Sequence, residues 1–350
     1  ESVLTDLVEK GFVMSFDSHE AAVSYLGRQP VVSKLALITT IKDGVEKHRL
    51  ILDCRVSGSN SRTKKSERIL LPKAWDIIRD VLEMQALCID DESLELFVLD
   101  FTDAFFKLPL HPDEQLYFAA KYKDVFMHWT RVAQGSRNGP QLFGILSAML
   151  GRLSQGMMNP RHARIHIYTD DPIIILKGTP SQIRIYKTRL ILVWRAFGLD
   201  LAFRKGQHGT SVSWIGHFIS IDLAGRKVDV QVKPEMLSEI LTDTKAMLQR
   251  NTVRYKDLRS YAGRVGHVAN LMWAWRPFID SLWAAQYTEN DASKRTFAPK
   301  GQLWTHQVRQ ALIWIRGFLV DAGSHVVCSW PLDTFLSSAA DFMFTYDASP

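Results

Sequence analysis

The residues between Leu96 and Leu176 decide the fold: LFVLDFTDAFFKLPLHPDEQ (96–115), VAQGSRNGPQLFG (132–144) and RIHIYTDDPIIIL (164–176). Two apolar runs each deliver acid at one end. Leu96-Phe97-Val98-Leu99 closes on Asp100, and Ile165-His166-Ile167-Tyr168 leads into Asp170-Asp171. A core strand finishing in a carboxylate is costly unless the charge is compensated. Two divalent cations held by such carboxylates compensate it, and form the clamp that nucleotidyl transfer needs. Neighbours on a regular strand face opposite sides of the sheet, so Asp170 and Asp171 address one site only from a tight turn. Apolar–Thr-Asp-Asp-Pro–apolar reads as that hairpin.

Working outward, 350 residues with 46% hydrophobic and 23% charged positions suit a globular chain of two to three domains. No apolar run approaches the roughly 20 residues of a membrane span. The chain opens on Glu1 and closes on Pro350, and reads as a piece of a longer polypeptide. Cys54, Cys88 and Cys328 lie far apart, which argues against a disulfide framework or zinc module and suits a reducing compartment. The net charge of +6 is unevenly spread. Residues 28–73 hold eleven Lys/Arg against four acids, residues 90–120 one Lys against eight acids, and residues 233–276 eight basic against four acidic. Basic walls around an acidic, metal-binding floor suit a polyanion.

Residues 3–27 read as short helices broken at Gly11. Val31–Thr40 and Arg49–Cys54 form a hairpin around Asp43-Gly44. Residues 56–67 are a polar, basic loop, and a helix runs from Leu71-Pro72 to Met84. A helix over Phe143–Leu153 lies behind Gly139-Pro140. Another helix spans Ser181–Phe197, and Trp214–Ile221 with Lys227–Val232 makes a second hairpin. From Pro234 the apolar spacing turns helical, which puts a domain boundary near 232. Residues 287–300 are linker-like, a helix follows around Trp304–Leu319, and Phe342–Tyr346 reads as a strand ending at Asp347.

These motifs, in this order and spacing, resemble the reverse transcriptases of retroelement polyproteins, from about Lys42 to the C-terminus. The resemblance implies an α+β right-hand polymerase with fingers, an antiparallel palm sheet, a helical thumb, a connection and the first strand of a truncated RNase H domain. The implied segments are fingers 1–69 and 108–138, palm 70–107 and 139–232, thumb 233–290, connection 291–340 and RNase H start 341–350. It also implies an RNA-directed DNA polymerase that uses two Mg²⁺ ions, with Mn²⁺ as an alternative. Its partners would be an RNA or DNA template with its primer, dNTPs and other polyprotein domains (RNase H, integrase or recombinase, protease), with no membrane. The implied location is intracellular, in cytoplasm, nucleus or retroelement particles.

Residue by residue, Asp100 and the Tyr168-Thr169-Asp170-Asp171 pair match the family's metal-binding acids. Phe105 matches the aromatic gate that excludes a 2′-OH, although adjacent Phe106 leaves open which ring points inward. Gln134, Gly135 and Arg137 match the loop that approaches nucleotide and template. Lys42 and Arg49 match the fingers residues that close on the nucleotide, and Asp53 and Arg55, two apart on the strand and so on one face of it, resemble their supporting pair. Lys205 aligns with a lysine near the leaving pyrophosphate, a general acid. Trp214-Ile215-Gly216-His217 resembles the hairpin that holds the primer end. Lys245, Arg250, Arg254, Lys256, Arg259 and Arg264 are candidate thumb phosphate contacts. Trp273, Trp275 and Trp283 read as core, and Asp347 as the first acid of the incomplete RNase H site. Asp103 aligns where backbone meets triphosphate and is not counted as a ligand.

One departure is Pro172, where the family usually carries an aliphatic residue. Proline removes a backbone donor and fixes φ at the start of the return strand. It keeps open a second reading, a catalytically decayed copy or subunit that binds nucleic acid without chemistry. A third, a metal-dependent nuclease, leaves the gate and the fingers motif without a role.

Overall fold

The computed structural model describes residues 1–42, 45–64, 69–287, 298–322 and 326–336, and for Lys42, Val45, Trp273 and Ala322 the backbone alone. The chain opens with α1 (Ser2–Glu9), β1 (Val13–Phe16) and α2 (His19–Leu26). Sequence reasoning places only helices here. Four residues carry no periodicity signal of their own, and β1 exists because it pairs with a distant strand, Val13 opposite Trp129. The expected hairpin is β2 (Val32–Lys42) and β3 (Val45–Asp53), with Lys34 opposite Asp53. Its Asp43-Gly44 turn lies outside the described residues. A short α3 (Ser59–Arg62) interrupts the basic loop. Helix α4 (Ala74–Ala86) starts later than Leu71-Pro72, because the Asp76 carboxylate accepts from the Lys73 amide at 2.8 Å and so caps the first turn there.

Strands β4 (Ser93–Val98) and β5 (Phe101–Thr102) flank Asp100, and a 3₁₀ turn follows over Ala104–Lys107. The chain then returns to the N-terminal sheet through α5 (Pro112–Gln115), β6 (Ala119–Tyr122) and β7 (Val125–Trp129). That sheet runs β1-β7-β6-β2-β3. Next come α6 (Gly139–Gly156), β8 (Ala163–Tyr168), β9 (Asp171–Gly178), α7 (Pro180–Ala196), β10 (Asp200–Leu201) and β11 (Gln207–Gly209). The central sheet is β11-β4-β9-β8 and antiparallel throughout.

Helices on both faces of this sheet explain why β9 is apolar without alternation. Ile173 and Ile175 pack with Ile77, Ile78 and Val81 of α4. Ile174 and Leu176 pack on the other face with Phe143, Leu150, Ile183 and Trp194.

Strands β12 (Ser211–Trp214), β13 (His217–Asp222) and β14 (Lys227–Val232) form a meander. A single strand over Trp214–Ile221 is therefore incorrect. The chain reverses at Ile215 and Gly216, both left-handed (φ 36° and 81°), so that Trp214 pairs with His217.

After Pro234 the chain is mainly helical: α8 (Pro234–Leu248), β15 (Thr252–Arg254), α9 (Tyr255–Ala269) and α10 (Arg276–Tyr287). It continues with β16 (Gln302–Trp304), α11 (Arg309–Ala322), β17 (Val327–Pro331) and α12 (Leu332–Leu336). Trp304 thus ends a strand and does not begin a helix, because β16 pairs with β15. β17 joins β14, so a segment from the expected connection completes the meander sheet. One core unites α4, β4, β9, this sheet and α8 to α11, with Trp275 fully buried and Trp283 packed against it. The Trp273 side chain and the expected strand ending at Asp347 lie outside the described residues.

Candidate active site

Register brings the acids together. Val98 lies opposite Ile173, the last pair of that ladder, and two residues further the Asp100 side chain shares a hydrogen bond with Asp171. The edge is held where the Leu99 amide donates to the Pro172 carbonyl (3.4 Å) and the Phe101 amide to the Asp170 carbonyl (3.1 Å). The hairpin closes with Tyr168 paired to Asp171, leaving a two-residue turn in which Thr169 is left-handed (φ 56°). Both acids therefore sit at the tip, as the motif requires.

The electrostatics show the strain of this grouping. Burial, then the charges of Asp170 and Asp100 and a shared hydrogen bond with Asp100, push Asp171 up to about 7. Burial also raises Asp170, with Asp100 adding to it and Arg49 and Lys205 opposing. Lys205 Nζ donates to Asp100 Oδ2 at 2.7 Å. Among the described residues, no three His, Cys, Asp or Glu side chains stand ready-arranged around one ion. The donors nonetheless fit a hard divalent cation, being oxygens whose mutual repulsion a cation relieves.

Around the acids, the two phenylalanines diverge because they lie on a 3₁₀ turn and not on a strand. Phe106 is buried and stacks on Phe12 (4.9 Å between centroids, 8° between planes). Phe105 turns the other way, half-buried towards the start of α6, 5.9 Å from the Phe143 ring. Asp103, left-handed at φ 54°, accepts from Lys10 Nζ at 3.2 Å.

The loop before α6 presses against β3. Gly135 has φ 106°, and a Cβ there would collide with the Leu52 carbonyl, so only glycine fits. The Gln134 carbonyl accepts from the Leu52 amide at 2.8 Å. Asn60, which sequence reasoning missed, clamps this loop: its Nδ2 donates to the Gly135 carbonyl (3.0 Å) and its Oδ1 accepts from the Arg137 amide (2.9 Å). Its only signal was an Asn in a polar turn, where such side chains bond backbone. Arg137 also donates to the Asn60 carbonyl at 3.2 Å.

In the hairpin, exposed Arg49 influences Asp170 electrostatically, and Lys42 ends β2 opposite Val45. The Lys42 side chain lies outside the described residues. Asp53 ends β3 but Arg55 lies beyond the strand, so the two do not share a strand face. They pair with each other, Arg55 donating from Nε (2.8 Å) and Nη2 (2.7 Å), which holds Asp53 down to about 2.

The turn after β12 joins the sheet to α9. Trp214 Nε1–H donates to the Asp171 carbonyl at 2.9 Å. Ile215 packs against the core, and a Cβ on Gly216 would lie 3.0 Å from His267 Nε2. His217 is buried with its ring 4.6 Å from that of His267. Burial, reinforced by His267, pushes His217 down to about 4 from the ordinary 6.5. An unfolded chain takes up this proton near 6.5, whereas the folded one resists until about 4, so stability drains as pH falls across that window. His217→Phe should flatten the fall, read as the Tm difference between pH 7.5 and pH 5.

Lys245, Arg250, Arg254, Lys256 and Arg259 are exposed on the helical segment. Arg254 Nε donates to Asp257 (2.8 Å), Arg259 Nε to Gln286 (3.3 Å), and half-buried Arg264 pairs with Asp243.

An antiparallel sheet with three acids grouped at one end, flanked by a half-buried phenylalanine, a glycine loop and a helical segment with exposed basic residues, is consistent with a polymerase fold. The family described as "Reverse transcriptase (RNA-dependent DNA polymerase)" matches residues 42–219, slightly over half the chain, and the chain belongs to that family. The Gag-Pol polyprotein of gibbon ape leukemia virus is 48% identical over 233 residues, 64% of this chain and 12% of that polyprotein. The Gag-Pol polyprotein of avian reticuloendotheliosis virus is 26% identical over 180 residues, 49% of this chain and 14% of that polyprotein. The chain therefore spans a small fraction of these relatives. A foamy viral protease-reverse transcriptase solved with RNA/DNA hybrid aligns over 91% of this chain and 36% of its own, with TM-score 0.53 and 19% identity. The same kind of protein solved with dsDNA gives TM-score 0.54 at 18% identity, over 91% of this chain and 56% of its own. At such identity the likeness shows the fold alone.

Proposed function

We propose that this chain is an RNA-directed DNA polymerase, joining deoxynucleotides to a primer 3′-OH on an RNA or DNA template. The observation that carries this reading is Asp100 beside Asp171 at the sheet edge, with Asp171 pushed up to about 7. Asp100, Asp170 and Asp171 would hold two divalent cations, Mg²⁺ or Mn²⁺. Bound there, the cations would acidify the 3′-OH and neutralise the nucleotide phosphates. Lys205, close to this cluster, gives its proton to the leaving pyrophosphate. Arg49, with Lys42, closes on the nucleotide, supported by Asp53 and Arg55; its planar guanidinium pairs with phosphate better than an ammonium does. Phe105 lies under the sugar, while Gln134, Gly135, Arg137 and Tyr168 line the nucleotide.

The turn Trp214-Ile215-Gly216-His217 supports the primer end, and Lys245, Arg250, Arg254, Lys256, Arg259 and Arg264 track phosphates. In this reading 1–69 and 108–138 are fingers, 70–107 and 139–232 palm, 233–290 thumb and 291–340 connection. Residues 341–350 would open an RNase H domain. The chain would work inside the cell, in cytoplasm, nucleus or retroelement particles, beside other polyprotein domains. Among the described residues no helix is long and apolar enough to cross a membrane.

Primer extension on poly(rA)–oligo(dT) with Mg²⁺ tests the reading: template-dependent dTMP addition is expected. Hybrid binding without extension would reject it in favour of a binding subunit. Arg49→Ala should raise the dNTP KM about tenfold, the scale of one lost charge-assisted bond, while leaving hybrid affinity unchanged. Equal loss of both would remove Arg49 from the nucleotide site.

A further inference from the structure

The structure carries one more assignment, which rests on the polymerase reading. An antiparallel pair in hydrogen-bonding register exchanges two bonds between its residues. At Leu99 and Pro172 only one is made, Leu99 N–H to the Pro172 carbonyl at 3.4 Å, because proline has no amide hydrogen to return. The strand carrying Asp171 is thus underheld where aim matters, and its turn already contains left-handed Thr169.

A donor arrives from another sheet. Trp214, 2% exposed at the end of β12, gives its indole N–H to the Asp171 carbonyl at 2.9 Å. Its ring meets Tyr168 edge-on (6.3 Å, 88°), so it grips both residues that close the turn. We propose that Trp214 is a positioning residue for the acidic pair, its indole N–H supplying the hold on the return strand that Pro172 has withdrawn.

A double-mutant comparison tests this. Trp214→Phe keeps an aromatic ring and removes the donor. In the Pro172 parent it should weaken Mn²⁺ binding about tenfold, as loss of a partner behind a metal ligand does. This is read by electron paramagnetic resonance on the full chain without nucleic acid or nucleotide. It should also lower kcat with the primer–template KM unchanged. In a Pro172→Leu background, where the backbone N–H returns, the same change should shift Mn²⁺ affinity less than twofold. Equal losses in both backgrounds overturn the proposal. So does an increased primer–template KM with unaltered Mn²⁺ affinity, which would leave Trp214 a primer support alone. Should Trp214→Phe fail to fold, benzothienylalanine at 214, which replaces N–H by sulfur in the same bicycle, carries the comparison. Failure of the polymerase reading shows separately, as a parent that binds Mn²⁺ and extends no primer.

Discussion

Asp171→Asn should abolish primer extension, by at least about 1,000-fold, while hybrid affinity stays within about twofold. The loss follows from position: Asp171 is at the tip of β8–β9, hydrogen-bonded to Asp100, and an amide there would remove one of the three carboxylates proposed to hold the cations. The same substitution should stabilise the fold, in a pH-dependent way. Ionised Asp171 is disfavoured by burial and by Asp170 and Asp100, so the folded chain keeps that proton to about 7, whereas an ordinary aspartate releases it near 3.8. Stability therefore falls as pH rises from about 4 to 7, since the unfolded chain binds fewer protons over that range. Asparagine removes this penalty. In chelator, its Tm should exceed that of the parent at pH 8, with the gap closing towards pH 4. A lower Tm at pH 8 would mean that the carboxylate is held by contacts stronger than the repulsion. Retained extension would move the catalytic acids elsewhere.

Phe105→Val should raise ribonucleotide incorporation relative to deoxynucleotide by about 10- to 100-fold, the range that one pocket-filling group commands. DNA synthesis should remain measurable. The argument is steric. Phe106 is committed to the Phe12 stack in the N-terminal core, and Phe105 alone turns towards α6. A flat ring excludes a hydroxyl by occupying its space, and valine vacates it. Unchanged sugar discrimination in Phe105→Val, from single-nucleotide kinetics with rNTP and dNTP, would reject the gate. Phe106→Val is the control: it should lower Tm by opening a cavity and leave discrimination alone.

Much of the site was legible in the chain itself. An apolar run closing on Asp100 and an apolar–Thr-Asp-Asp-Pro–apolar segment specify two strand ends with acid at the tip, because strand period and turn chemistry are local properties. The glycine at 135 was legible for the same reason, and its collision with Leu52 supplies the cause. Strand β1, the break at Ile215-Gly216 and the end of β3 at Asp53, which leaves Arg55 beyond the strand, were not, since each depends on pairing or turning set by distant residues.

The two acid-tipped strand ends, the order of the motifs and the strands of the central sheet were written along the chain, since strand period and turn composition are local. Only packing set Phe106 on Phe12 and turned Phe105 towards α6, let Asn60 clamp the glycine loop, and brought Trp214 to the Asp171 carbonyl. The reason is physical: direction on a 3₁₀ turn and hydrogen bonds spanning 43 or 75 residues arise only when separate elements pack, and no local pattern records them.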